Sequence, residues 1–421
     1  MQTHDRHDAA TGSLASNPEA AALTKQRAQR LVYLPVRGLN NPPLPYGSDV
    51  QDSSDKTGDQ TVAQTVARLV GQTGIPGMDI DLETSRAAIA TTIDGNVANI
   101  KVTLGFPAAG IADDLAQHAA DRVVADTDLS TANVQVGWKV RAHAVQGALE
   151  PLASVKNVIA VGSGKGGVGK STTAVNLALA LVAEGARAGV MDADIYGPSQ
   201  PRMLGVTGAD VESTDGKTME PIEAHGVQIV SMGFLVDEDQ PMIWRGPMVT
   251  QALQQLMFQT NWNELDYLIV DLPPGTGDAQ LTLTQKAPLA GAIIITTPQD
   301  IALLDARKGL KMFEKVNVPV LGVIENMSTH VCSECGHEEP IFGEGGGDRL
   351  AAECGVPLLG QLPLDIEIRR DADGGQPTVV AKPDSPAAHA YRDTARKAAA
   401  LLSLRPVNRK SGFPPVVVET S

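Results

Sequence analysis

Aromatic side chains are scarce in this chain: six Phe, five Tyr and three Trp make up 3% of it. That leaves few rings on which nucleobases could stack. Positive charge is also in short supply, since 49 acidic residues face 34 Lys and Arg and the formal net charge is −15. A surface of that sign repels nucleic-acid phosphates and anionic lipid head groups, so neither a nucleic acid nor a membrane is expected as a partner. No run of apolar residues is long enough to span a bilayer; the longest uncharged helical pattern, residues 171–183, stops at Glu184. The opening residues, Met1 to Asp8, lack the cationic and apolar regions of a secretory signal, which points to a cytoplasmic protein. Cysteine is nearly absent. The three present, an odd number, all follow residue 330, which fits metal or redox chemistry better than a disulfide framework.

What the chain does have is length and apolar content, 421 residues at 43% hydrophobic, enough for two domains. Residues 1–58 are rich in Ala, Asp, Ser, Pro and Gln and read as a disordered tail or linker, with one short helix around 20–31. Residues 59–150 read as a small α+β unit. A helical pattern covers 62–69, strand patterns at 87–93 and 97–104 are joined by the hairpin signal Asp94-Gly95-Asn96, and a helix at 111–124 precedes alternation at Val134, Val136, Trp138 and Val140. With no cysteine and only His118 and His143, this unit reads as a protein-interaction or regulatory module. From 151 to 405 strands alternate with helices, the pattern of an α/β fold with a mostly parallel sheet covered by helices on both faces. Residues 406–421 read as a flexible C-terminal tail.

Between an apolar strand pattern at 157–161 and a helical pattern at 173–183 lies Gly164-Lys165-Gly166-Gly167-Val168-Gly169-Lys170-Ser171-Thr172, which satisfies G-x-x-x-x-G-K-[ST]. Its glycines let backbone N–H groups converge on a polyphosphate at a helix N-terminus, so the fold is expected to be that of a P-loop NTPase. Lys170 reaches the β- and γ-phosphates and Ser171 holds Mg²⁺ in such a loop. In a parallel sheet, ligand groups collect at the carboxyl ends of strands, and Asp192, Asp194 and Asp271 follow strand patterns there. Asp271 reads as the acidic partner of Mg²⁺.

The turn Cys332-Ser333-Glu334-Cys335-Gly336-His337 places two thiolates at C-x-x-C spacing. A cubane iron–sulfur cluster or a structural zinc requires four ligands. A two-fold dimer in which each subunit supplies the same two thiolates meets that requirement. Spacing alone leaves three readings open: a cluster, a zinc site completed by His337 or Cys354, and a redox pair. Cys354 itself reads as a small buried hydrophobe at a helix end.

Together with Asp192-Ala193-Asp194-Ile195-Tyr196-Gly197-Pro198-Ser199, Trp244-Arg245-Gly246-Pro247-Met248, residues 271–278 and Glu325-Asn326-Met327-Ser328, the phosphate loop and the cysteine pair closely resemble the Mrp/ApbC family. These are iron–sulfur cluster carrier ATPases of the deviant-Walker, MinD/ParA-like P-loop class, and the resemblance covers about residues 155–400. It implies that Lys165 reaches across a homodimer to the partner's phosphates, as an arginine finger does. It implies that Asp194 helps position the attacking water in a first switch and that 271–278 form a second. Asn326 is implied to contact adenine under a loop containing Pro363, and Cys332 and Cys335 to bridge a 4Fe–4S cluster between subunits. Residues 61–150 resemble, more weakly, the small cluster-assembly domain that often precedes such ATPases; residues 103–110 lack the cysteine that some of these carry.

The resemblance thus implies an ATPase, with slow hydrolysis, that uses ATP and Mg²⁺ to load or release a 4Fe–4S cluster. The partners it implies are a second copy of the chain, apo iron–sulfur proteins and cluster-assembly factors. Two other readings use the same phosphate site: a spatial organiser of the MinD/ParA kind, and an ATPase adaptor with a structural zinc. The first of these does not account for Cys332 and Cys335, and residues 405–421, with Pro414 and Pro415, lack the amphipathic helix a membrane version needs.

Overall fold

The computed structural model describes residues 56–147, 149–195, 197–213, 215–234, 246–332 and 334–408. The helix expected around 20–31 and the Trp244-Arg245 pair lie outside the described residues. Helix α1 (Lys56–Gly71), strands β1 (Ala88–Asp94) and β2 (Val97–Leu104), helix α2 (Ala112–Asp126) and strand β3 (Thr131–Trp138) form the small α+β unit. The Asp94-Gly95-Asn96 signal gives the antiparallel β1–β2 hairpin, with Asp94 opposite Val97. β3 returns alongside β2 in parallel, carried there by α2.

Beyond Pro151 the strands are β4 (Val155–Ser163), β5 (Ala188–Asp192), β6 (Ile222–Ala224), β7 (Val227–Ser231), β8 (Leu265–Asp271), β9 (Gly291–Thr296), β10 (Val320–Glu325), a short pair β11 (His330–Val331) and β12 (Glu338–Glu339), and β13 (Leu358–Gln361). The main sheet runs β13-β10-β9-β4-β8-β5-β7-β6, with only the edge strand β6 antiparallel. Its central strands β4, β5, β8 and β9 are buried almost throughout, as continuous apolar runs covered on both faces must be. Helices α3 (Lys170–Ala183), α4 (Gln200–Met203), α5 (Gly246–Phe258), α6 (Asp278–Lys286), α7 (Asp300–Lys315), α8 (Gly346–Cys354), α9 (Ile366–Asp373), α10 (Thr378–Ala381) and α11 (Pro386–Ser403) complete the chain. The α/β P-loop NTPase architecture expected from the alternation is therefore the one observed. No described helix is long and apolar enough to cross a membrane.

Helix α3 is apolar on nearly every face because it is enclosed: ten of its residues are buried, and it packs on β8, β5 and α11. Its far end is tied by charge. Glu184, at the C-cap, has no exposed surface and receives hydrogen bonds from Arg392 (2.9 Å) and Arg396 (2.8 and 3.2 Å) of α11 and from the Gly110 backbone N–H (3.0 Å) of the small unit. The Trp138 indole N–H donates to the neighbouring Gly185 carbonyl (3.3 Å). Burial pushes the Glu184 carboxyl up, but Arg396 and Arg392 outweigh it and hold it below the ordinary carboxylate range. The stabilisation from this depressed carboxyl is present above the unfolded-state value and is lost as pH falls through the folded one. Glu184→Ala leaves Arg396, 4% exposed, facing only Asp393. We expect a loss of about 3–5 kcal/mol in denaturant unfolding at neutral pH, with the gap to wild type narrowing in acid.

Residues 406–408, expected to open the flexible tail, instead pair with the small unit's exit. The Ala144 N–H donates to the Pro406 carbonyl (2.8 Å) and the Asn408 N–H to the Ala142 carbonyl (2.9 Å). Buried His143 adds an Nδ1 contact with the Arg405 carbonyl (3.1 Å). Such backbone pairing across a distance of some 260 residues leaves no periodicity in the sequence. At the other boundary, α1 begins at Lys56, a little before the expected edge.

Candidate functional site

The phosphate loop leaves the buried end of β4 and enters α3 at Lys170. Gly167 (φ +80°) and Gly169 (φ +79°) are in the left-handed region, which turns successive N–H groups inward. Gly164 is pressed against α7 so closely that a side chain there would overlap the Asp305 carbonyl. The Ser163 hydroxyl donates to the Lys165 carbonyl (2.9 Å), which fixes the loop's first bend; Lys165 is half-buried. Gly166 is exposed, Val168 is buried, and Thr172 is half-buried in the first turn of α3.

Lys170 is nearly buried at 6% exposure and is ion-paired with Asp271 Oδ1, while its Nζ lies 3.1 Å from Ser171 Oγ. The hydroxyl and the carboxylate therefore converge on one point. Both are hard oxygen donors and the carboxylate is charged, so this pair suits Mg²⁺. Asp271 ends β8 with no exposed surface, beside Asp192 at the end of β5. Burial, and then the Asp271 charge, push the Asp192 carboxyl up, although it accepts hydrogen bonds from the N–H groups of Asp194 (3.2 Å), Ser199 (2.9 Å) and Gln200 (3.0 Å) and from the Ser231 hydroxyl (3.1 Å). Asp194 is half-buried at the loop that follows β5.

On the other side of the loop, the buried Asn326 amide donates to the Val168 carbonyl (2.8 Å), and its backbone N–H bonds the Thr296 carbonyl (2.8 Å). Residues 325–330 are then stitched to the loop that holds Pro363: Leu362 N–H to Glu325 O (2.8 Å), Ser328 N–H to Leu362 O (3.0 Å), Leu364 N–H to Thr329 O (2.8 Å) and His330 Nδ1 to Leu364 O (3.0 Å). Pro363 faces a cavity of about 500 Å³ that also reaches Glu325, Glu338 and Glu344.

The same segment becomes the cysteine hairpin. His330 pairs with Glu339 and Val331 with Glu338. The turn is closed by Cys332 N–H to His337 O (2.9 Å) and Gly336 N–H to Cys332 O (2.8 Å), with Gly336 at φ +70°. Cys335 and His337 are exposed and Cys332 is half-buried. The backbone N–H groups of Glu334 and Cys335 and the Cys335 thiol hold the Cys332 thiol below its usual value, which favours the thiolate that binds metal. Cys354 ends α8, packs against the apolar core and has its thiol pushed up by burial. Among the described residues no group of three or more His, Cys, Asp and Glu side chains comes together to hold a metal.

The fold thus collects Lys165, Lys170, Ser171, Asp271 and Asn326 at one loop, leaves Asp194 just past the end of the neighbouring strand β5, and sets Cys332 and Cys335 on a separate hairpin a few residues beyond Asn326. Residue-type patterns did not point to Gln200, whose buried amide reaches both Ser171 O (3.0 Å) and Asp271 Oδ2 (2.9 Å). Only its position shortly after the Asp192–Asp194 pair could have drawn notice.

A family model described as "ParA: NUBPL iron-transfer P-loop NTPase" matches residues 154–399. An iron-sulfur cluster carrier protein of Pseudomonas fragi is 60% identical over 268 residues, which are 63% of this chain and 93% of that protein. One of Haemophilus influenzae is 47% identical over 345 residues, 82% of this chain and 93% of its own. Among solved structures, a nucleotide-binding protein of Archaeoglobus fulgidus in complex with ADP is 34% identical, with 56% of this chain and 91% of that one covered and a TM-score of 0.49.

Proposed function

The chain belongs to the family of NUBPL-type iron-transfer P-loop NTPases, and from that premise we propose that it carries iron–sulfur clusters to recipient apoproteins in an ATP-dependent cycle. Its cargo is a 4Fe–4S cluster held between the Cys332/Cys335 hairpins of two subunits. Each hairpin contributes two thiolates, and two-fold symmetry brings the number to four. The observation that carries this reading is the continuity of residues 325–332. Asn326 is hydrogen-bonded to the phosphate loop, and the chain then runs directly into the turn that bears Cys332. A change at the loop therefore has a short, hydrogen-bonded route to the cysteine turn.

Lys170 and the loop N–H groups bind the β- and γ-phosphates, and Asn326 and the Pro363 loop enclose the base. Lys165 completes the partner's phosphate site, and Asp194 orients the attacking water. Bound magnesium, held by Ser171 and Asp271, supplies charge neutralisation on the phosphate oxygens. None of the residues given a role here is a dedicated strong general base, which supports slow hydrolysis. The reading places the protein in the cytoplasm, where the hairpin thiols stay reduced, with cluster-assembly factors as donors. A spatial organiser of the MinD/ParA kind leaves the cysteine hairpin without a role.

Anaerobic purification and reconstitution, followed by iron, sulfide and zinc analysis and by sizing, tests the proposal. We expect about four iron and four sulfide per two chains, in a dimer. One zinc per dimer with no uptake of iron would instead mark the turn as structural.

A further inference from the structure

The second oxygen of Asp271 is held by a residue that the nucleotide chemistry does not otherwise use. Gln200 opens the short helix α4, has no exposed surface, and is fastened at its backbone N–H to Asp192 Oδ2 (3.0 Å). Its side-chain NH₂ spends both hydrogens: one on the Ser171 carbonyl in the first turn of α3 (3.0 Å), the other on Asp271 Oδ2 (2.9 Å). Its Oε1 is buried without a hydrogen-bond donor. Asp271 Oδ1 is meanwhile paired with Lys170.

We infer that Gln200 is a positioning residue for the magnesium site: it orients the Asp271 carboxylate toward Ser171 and keeps that orientation after Lys170 has left. The inference rests on the magnesium–ATP reading of the site. Three observations carry it. The amide bridges the two elements that supply the metal's ligands, α3 through Ser171 and β8 through Asp271. It is itself positioned by Asp192, which also gathers the Ser199 and Asp194 N–H groups and the Ser231 hydroxyl. Its oxygen, on the same amide that holds Asp271, is buried and accepts no hydrogen bond, so it offers an acceptor to a hydrated cation, which is rich in donors; magnesium usually keeps several of its waters. Outer partners of a ligating carboxylate fix its direction before the metal arrives, and their removal weakens metal binding about 10–100-fold.

The test measures ADP affinity of the full-length protein by calorimetry across a magnesium titration and again in EDTA, for wild type, Gln200→Met and Gln200→Leu. Met keeps the length of the side chain without its donors, and Leu serves if Met packs poorly. Expected is a rise of about 10-fold or more in the magnesium concentration that half-saturates the enhancement of ADP binding, with ADP affinity in EDTA unchanged. An unchanged magnesium requirement in both variants overturns the inference. So does an equal loss of ADP affinity with and without magnesium, which would mark Gln200 as a support of the loop alone. If wild type itself binds ADP no better with magnesium than in EDTA, the magnesium reading of the site fails, and this inference with it.

Discussion

Replacing Cys332 and Cys335 together by alanine is expected to reduce iron and sulfide retention after reconstitution to background, while ATP binding stays within about twofold of wild type. The two sites depend on different atoms. The hairpin turn is closed by backbone bonds between Cys332, Gly336 and His337, none of which uses a thiol. Removing the sulfurs should therefore leave β11 and β12 paired and the Asn326–Val168 bond intact. A 4Fe–4S cluster with two of its four thiolates gone from each side of the dimer has no protein ligand left. Iron content and visible absorbance report the first half of this expectation, and calorimetry with ATP the second. A double variant that still held a full cluster would require ligands elsewhere, and among the described residues no alternative group of three or more metal-ligating side chains exists.

Lys170→Ala should remove detectable ATP binding and, less obviously, destabilise the nucleotide-free protein. Each charge-assisted contact to phosphate is worth about 1.5–3 kcal/mol, so the loss of two lowers affinity on the order of 10²–10⁴-fold. The stability effect follows from the pairing of the lysine with Asp271. Asp271 has no exposed surface and lies next to Asp192, itself buried, so without the ammonium two carboxyl groups share a low-dielectric strip at the ends of β5 and β8. Breaking a buried pair by deleting one partner costs about 3–5 kcal/mol. Adding Asp271→Asn to Lys170→Ala should recover most of that stability in a denaturant titration without recovering ATP binding. Equal stability of wild type and Lys170→Ala would mean that the pair contributes nothing to the fold.

The parts of this molecule that read directly from the sequence are those whose cause is local. Apolar runs too short for helices point to β4 and to the strands that end at Asp192 and Asp271, β5 and β8, because a strand covered on both faces must be apolar along its length. The phosphate loop was legible because its glycines and lysine act through backbone geometry within nine residues. The cysteine pair was visible as a motif, but the two-residue strands that carry it are too short for any periodicity. Glu184 looked like the polar end of an apolar helix; it is buried because Arg392 and Arg396 arrive from more than 200 residues away. Gln200 carries no signal in the linear pattern for the same reason, since its amide partners come from α3 and β8. Polar residues buried by convergence leave no trace in a linear pattern.

The Lys170–Asp271 pair also gives the phosphate loop the character of an ion exchanger. Its internal salt is already neutral, so under the proposed function a ligand enters by swapping counter-ions: phosphate takes the ammonium and a cation takes the carboxylate, both at once. A polyphosphate that brings its own magnesium makes that swap without stranding a charge. A free anion strands the aspartate, a free metal ion strands the lysine, and an uncharged nucleoside has nothing to trade. With Lys170 and Asp271 in the proposed roles, selection for the metal–nucleotide salt over its separate components follows from this one ion pair.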